Sequence, residues 1–274
     1  MNKIRQLFFR SLRVLKEIGQ GKRSISDPAR IVMDNIRYYY FKIRYGIDLT
    51  ERFVPHLKWG HNYCIHVHRY IFALGYIKKF DQKPSLIDLG CGVGYGDYFL
   101  SEYCAKITGI DISNKAIEYA KSHYQGKNIE YICADLTKNI LELNTCKYDI
   151  VLSFEVVEHL RPSDRDAFFR NFHSLLSDNG IGIISTPHKK GNILEKGEFN
   201  NPYHLDEMDS NDFRSLLSKY FATIKIFAHY VRPDYEYLYS TKGKQPDEVY
   251  EIKELNEDIL KKGDFGLIGV VTKK

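Results

Sequence analysis

The sequence predicts an α/β protein: a doubly wound, mostly parallel sheet preceded by a helical extension. Two observations carry this prediction. Short apolar runs at 85–89, 106–110, 129–133, 148–153 and 180–185 alternate with amphipathic stretches near 96–104, 113–124, 138–143 and 163–177. Alternation at that rhythm lays the strands parallel and covers both faces of the sheet with helices. The first run, Ser85 to Leu89, then leads directly into glycines at 90, 92, 94 and 96. A buried strand ends this way where the backbone must approach a ligand, because glycine has no Cβ to block it. Ligands of such sheets bind at the carboxyl ends of the strands.

In chain order, residues 1–80 read as a basic, aromatic, helical extension and 81–274 as the sheet domain. The extension holds 16 Lys and Arg against 5 Asp and Glu, a net +11 within a total of +5, which leaves −6 for the rest. A basic front end on an acidic domain implies an anionic partner, with phosphorylated glycan, lipid head group and nucleic acid all open. Met1 to Arg23 patterns as a basic helix, with Ile4, Leu7, Phe8, Leu15 and Ile18 at helical spacing. It suits contact with an anionic membrane surface, docking or dimerisation, and a mitochondrial transit peptide would look similar. After a Ser- and Gly-containing linker, a second helix from about Ala29 to Tyr45 interleaves Tyr38, Tyr39, Tyr40, Phe41 and Tyr45 with Arg37, Lys42 and Arg44. Such a stripe stacks on sugars or bases, or packs against the domain. A third helix runs through His66 to about Lys79.

At 274 residues and 43% hydrophobic content the chain can bury a substantial core. It has no apolar run of bilayer length, and charges scattered through the first 25 residues interrupt any secretory signal, so a cytoplasmic location is expected. The five cysteines, at 64, 91, 104, 133 and 146, form no Cys-x-x-Cys pair and suit reduced, packed thiols.

The glycine stretch reads Asp88-Leu-Gly90-Cys-Gly92-Val-Gly94. A dinucleotide fingerprint would require glycine at 95 or 97, where Tyr95 and Asp97 stand. The pattern resembles motif I of the class I S-adenosylmethionine-dependent methyltransferases. That resemblance is strong over about Pro84 to Pro187, and it implies a Rossmann-like sheet of seven strands whose last strand is antiparallel. Strands at 222–229 and 266–271 fit the closing pair. The insertion 231–264 between them contains a stretch, 247–262, that patterns as a helix.

The resemblance further implies that S-adenosylmethionine is held by Gly90, Cys91, Gly92 and Gly94, with Asp88 orienting it from the strand end. Asp111 and Ile112 would serve the ribose and its surroundings, and Asp135 and Leu136 the adenine. Each of these acids could equally be a helix N-cap, but together they stand at family spacing. Just upstream, Glu51-Arg52-Phe53-x-Pro55 and His66-x-x-Arg69-Tyr70 look like the region ahead of motif I in bacterial methyltransferases of sugar and polysaccharide assembly. By that likeness Arg69 and Tyr70 cover the cofactor or contact its carboxylate.

Beyond the fourth strand lies Glu155-Val-Val-Glu158-His159. A helical turn there would place both carboxylates and the imidazole on one face. The pattern looks like the metal-binding motif of small-RNA 2′-O-methyltransferases and some ubiquinone-pathway O-methyltransferases. His204-x-x-Glu207 followed by Phe213 matches a further stretch of the RNA enzymes. Glu155, Glu158, His159 and His204 would then hold Mg2+, Mn2+ or Zn2+. Without a metal, His159 or His188 would be the general base, with Glu158 beside it.

The reading is an O-methyltransferase acting by in-line transfer on a small molecule or a sugar or polysaccharide precursor. An RNA 2′-O-methyltransferase is one alternative, although no separate RNA-binding module is recognisable. A cofactor-binding scaffold without activity is the other.

Overall fold

The computed structural model describes residues 61–140, 146–189, 203–231, 250–262 and 266–273, all within the unit Trp59–Lys274. The basic helix expected over 1–23, the aromatic helix over 29–45, the 51–55 stretch and most of the 231–264 insertion lie outside the described residues.

Helix α1 (His61–Ile77) leads into β1 (Ser85–Leu89), α2 (Tyr95–Leu100) with a 3-10 turn at Ser101–Tyr103, and β2 (Lys106–Asp111). Then follow α3 (Asn114–His123), β3 (Ile129–Cys133), β4 (Tyr148–Phe154), a 3-10 turn at Val157–His159 and α4 (Arg165–Leu175). The remainder is β5 (Leu176–Pro187), α5 (Ser210–Ser218), β6 (Thr223–Val231), β7 (Tyr250–Glu254), α6 (Glu257–Lys262) and β8 (Gly266–Thr272). The sheet order is β3-β2-β1-β4-β5-β8-β6-β7. The first five strands run parallel, and β8 inserts antiparallel between β5 and β6. The chain winds outward from β1 to β3, then crosses back to β4 on the other side of β1. This leaves a crevice at the carboxyl ends of β1 and β4.

The strands read as continuous apolar runs because both of their faces are covered. On one face Ile87, Val151, Ile184 and Val271 pack with Phe168, Phe169, Phe172 and Leu175 of α4. On the other, Leu86, Ile150, Leu152, Ile183 and Ile268 pack with Tyr70, Ala73, Leu74 and Ile77 of α1. Helix α1, assigned from sequence to the extension, is thus part of the wall of the sheet. Among the described residues no helix is long and apolar enough to cross a membrane.

The sheet has eight strands where seven were expected. The extra one, β7, falls in the stretch patterned as a helix over 247–262. Its register against β6 runs from Val231↔Tyr250 to Phe227↔Glu254, and this turns Tyr250 and Ile252 inward at period two. Pairing with an available sheet edge overrides the local helical pattern there. Among the described residues of that stretch, helix survives as α6, where Asn256 Oδ1 accepts the Ile259 N–H at 3.0 Å. Strand β5 also begins earlier than predicted, directly at the end of α4.

Phe172 is fully buried, and Gly182 on β5 leaves it room, since an added Cβ there would lie 2.6 Å from Phe172 Cε1. Phe172→Ala should therefore cost about 3–5 kcal/mol of unfolding free energy in a urea titration. A loss below about 1 kcal/mol would contradict this packing.

Candidate active site

The turn after β1 is tied to the end of β2. The N–H groups of Gly90 and Cys91 both donate to Ile110 C=O, at 2.7 and 2.9 Å. Asp111 completes the knot: its Oδ2 accepts the Gly92 N–H at 3.1 Å and its Oδ1 the Ser113 N–H at 2.8 Å. Gly92 has φ 57°, a left-handed conformation, and a Cβ added there would meet nothing within 4 Å. The turn therefore requires glycine and also leaves that backbone bare toward open space. Gly94, at φ 83°, caps the start of α2.

Ile112, beside Asp111, is 62% exposed, which is unusual for a large apolar side chain at a strand end. At the next strand end Ala134 N–H donates to Asp111 C=O, and Asp135 Oδ1 accepts both the Thr137 hydroxyl and its N–H. Leu136 and Cys91 are buried. The expected cofactor contacts Gly92, Asp111, Ile112 and Asp135 thus line adjoining carboxyl ends of the sheet.

Asp88 and Tyr70, also expected at the cofactor, lie beneath the turn. Asp88 is buried and its Oδ2 accepts the Tyr70 hydroxyl at 2.9 Å. Burial pushes the Asp88 carboxyl up to about 6, although the hydrogen bond from Tyr70 pulls the other way. Tyr70 reaches it because Gly96 has no side chain: a Cβ there would fall inside the tyrosine ring. Arg69 is 3% exposed and pairs through a terminal guanidinium nitrogen with Glu155 Oε2 at 3.1 Å.

On the other side of the crevice, Glu155 follows β4 with φ 56°, the only positive φ outside glycine among the described residues. For a side-chain-bearing residue this conformation costs about 1 kcal/mol or more. It is held by Arg69, by the Ser185 hydroxyl donating to Oε1 at 2.8 Å, and by its own N–H donating to Ser185 C=O at 3.1 Å. The left-handed residue breaks the helical register expected from Glu155 to His159, and only the 3-10 turn at Val157–His159 forms. Glu155 is thereby turned toward Arg69. The group whose ligating atoms lie within 4.8 Å of one another is Glu158, His159 and His204, without Glu155.

Glu158 is fully buried. The Thr186 hydroxyl donates to its Oε2 at 3.1 Å, and no N–H or O–H of the described residues reaches Oε1. Burial, and then the neighbouring Glu155 carboxylate, push its carboxyl well above the ordinary range. Its backbone C=O accepts the Leu205 N–H at 2.8 Å and so draws in the segment carrying His204. Arg165 fixes that segment too, donating to the Asp206 carboxylate at 2.7 Å and its C=O at 2.8 Å.

His159 Nδ1 lies 3.0 Å from Tyr203 C=O, and a carbonyl only accepts, so this nitrogen carries the proton. His204 Nδ1 meets the buried carboxylate of Glu207. In the neutral form with the proton on Nδ1, the Nε2 of each imidazole is the basic nitrogen. His188 is buried at the end of β5, bridged to Met208, outside the three-residue group. The role of Glu207 as the partner of His204 went unread in the sequence; the His-x-x-Glu spacing was its signal.

Residues 87–184 match the family model of a methyltransferase domain. Over 115 residues the chain is 32% identical to a phosphoethanolamine N-methyltransferase of Triticum aestivum, covering 40% of this chain and 22% of that protein. Over 108 residues it is 35% identical to a ubiquinone biosynthesis O-methyltransferase of Pelagibacter ubique, covering 39% of this chain and 44% of that one. The chain thus spans about a fifth of the first relative and less than half of the second. The crystal structure of the methyltransferase domain of bacterial-CtHen1-CN shares the fold, with a TM-score of 0.52 at 22% identity over 76% of this chain and 99% of that one. The family match takes in the glycine turn, Asp111, Asp135, Glu158 and His159, while Arg69, Tyr70, His188 and His204 lie outside it.

Arg69→Met should destabilise the protein by about 1–3 kcal/mol, because it strands the Glu155 carboxylate. Glu155→Gln should cost less, and the double variant should be more stable than additivity predicts. Additive losses in denaturant titrations would show that the pair is not coupled.

Proposed function

We propose that this chain, which carries a class I S-adenosylmethionine-dependent methyltransferase domain, methylates a hydroxyl group on a small-molecule or glycan acceptor, a sugar or polysaccharide precursor. The observation that carries the reading is the pairing, across one crevice, of the bare Gly92 backbone beside Asp111 and Ile112 with the Glu158–His159–His204 group.

The residues on the first side fit the cofactor. Gly92 leaves room for its methionine part beside the first turn of α2, whereas Val156 fills the space at Gly90, Tyr131 that at Gly94, and Cys91 is buried. The Asp111 carboxylate, which accepts the Gly92 and Ser113 N–H groups, stands at the strand end as an acceptor for a ribose hydroxyl. Ile112 offers an apolar surface for the adenine, and Asp135 with Leu136 its edge. S-adenosylmethionine supplies a methyl group already activated on sulfur, so the chain has only to align an acceptor and manage one proton. His159, with Nδ1 fixed by Tyr203, presents Nε2 to take the hydroxyl proton. Glu158, whose carboxyl burial pushes well above its ordinary range, stands beside His159.

One observation favours a second reading, in which the same group holds a divalent cation. Both imidazoles are oriented from behind, His159 by a backbone carbonyl and His204 by Glu207, as metal-binding histidines usually are. One carboxylate and two imidazoles suit Mn2+ or Zn2+ better than Mg2+, and an ion there would lower the pKa of a bound acceptor hydroxyl. The charge of the segment 1–23 supports contact with an anionic membrane surface, alongside docking or dimerisation.

Calorimetry with S-adenosylhomocysteine is expected to show binding that Asp111→Ala weakens about tenfold or more. Unchanged affinity would contradict the ribose assignment. His159→Ala should keep that affinity and lose about 10²–10⁴-fold in methyl transfer to glycan acceptors. Transfer to RNA in preference to glycans would reverse the choice of acceptor. Mn2+ binding that is abolished by His204→Ala would favour the cation, and no binding would leave the general base.

A further inference from the structure

Asp97, on the first turn of α2, is fully buried although it belongs to none of the contacts above. Its Oδ2 occupies the space over Gly109, where a Cβ would collide with it. Gly109 is the register partner of Asp88 on β1, so the missing side chain on β2 opens a slot for a second carboxyl group beside Asp88.

The donors around this slot are already committed. The Tyr70 hydroxyl serves Asp88 Oδ2, and the Tyr131 hydroxyl donates to Gly94 C=O at 3.0 Å. No N–H or O–H of the described residues reaches Asp88 Oδ1 or either oxygen of Asp97. Two ionised carboxylates in contact, buried and sharing a single hydroxyl donor, would repel one another and lack hydrogen bonds. A proton on one of them removes both problems, because a carboxylic acid donates to a carboxylate.

We infer that Asp97 is a positioning residue for the cofactor turn: a carboxylic acid that keeps its proton and donates it to Asp88 Oδ1. Asp88 then carries one charge with both oxygens satisfied, from Tyr70 on one side and Asp97 on the other. The glycine turn begins two residues further on and inherits its position from that anchored strand end. Burial, then the charge of Asp88, push the Asp97 carboxyl well above its ordinary range, in agreement with the placement of the proton.

The inference rests on the methyltransferase reading only for the ligand used to probe it. The asparagine variant keeps the shape of Asp97 and supplies an N–H donor, whereas leucine removes the donor. With S-adenosylhomocysteine as the probe, Asp97→Asn should bind within about threefold of the wild type, and Asp97→Leu about tenfold or more weakly. Equal loss in both variants, or no loss in Asp97→Leu, would overturn the positioning role.

A second measurement needs no ligand and holds even if the leucine variant fails to fold. At neutral pH the infrared spectrum of the wild type should contain a carboxylic-acid carbonyl band that Asp97→Asn diminishes. An unchanged band would place the proton elsewhere and sink the inference. If the wild type does not bind the probe, the methyltransferase reading fails, while the infrared band still decides where the proton lies.

Discussion

The end of β2 holds the candidate site together. Ile110 C=O takes two N–H groups from the glycine turn, and the Asp111 carboxylate takes a third together with the first N–H of the following helical segment. A turn with successive left-handed glycines has lost the pairing of a strand and has not yet gained that of a helix, so its donors need partners outside itself. Strand β2 supplies them. The side chain expected to meet a ribose is therefore also a structural clamp on the turn.

A comparable economy operates on the far side of the crevice. Glu155 could have been a ligand, but Arg69 and Ser185 engage both its oxygens. The left-handed backbone at Glu155 then lets the chain drop into the short turn that presents Glu158 and His159. Arg69 comes from α1, which also contributes Tyr70 beneath the glycine turn. One helix ahead of the sheet thus braces both halves of the site, from two consecutive residues.

The fold was legible where a physical requirement leaves a single residue type or a single period. Glycines at 90, 92 and 94 all have positive φ, which is why their spacing stood out. The parallel strands stood out because burial on both faces makes them uniformly apolar. What could not be read depends on contacts between distant parts of the chain. Nothing local marks Glu155 as left-handed, since its conformation is held by residues 30 or more positions away. Strand β7 carries a helical composition and becomes a strand only because β6 offers it an edge. Asp88 and Tyr70 were read as facing the cofactor because their place in the pattern is right; their direction is set by Gly96, which lets the ring slide beneath α2.

The position of β8 bears on how the molecule is made. Among the described strands it comes last in sequence, yet it lies in the interior of the sheet, paired along its whole length with β5 on one side and β6 on the other. Strands β6 and β7 join β1 to β5 across β8, through residues 266–272. Without residues 266–272 in place, β5 exposes an apolar edge open to other chains. The finished sheet covers that edge from within.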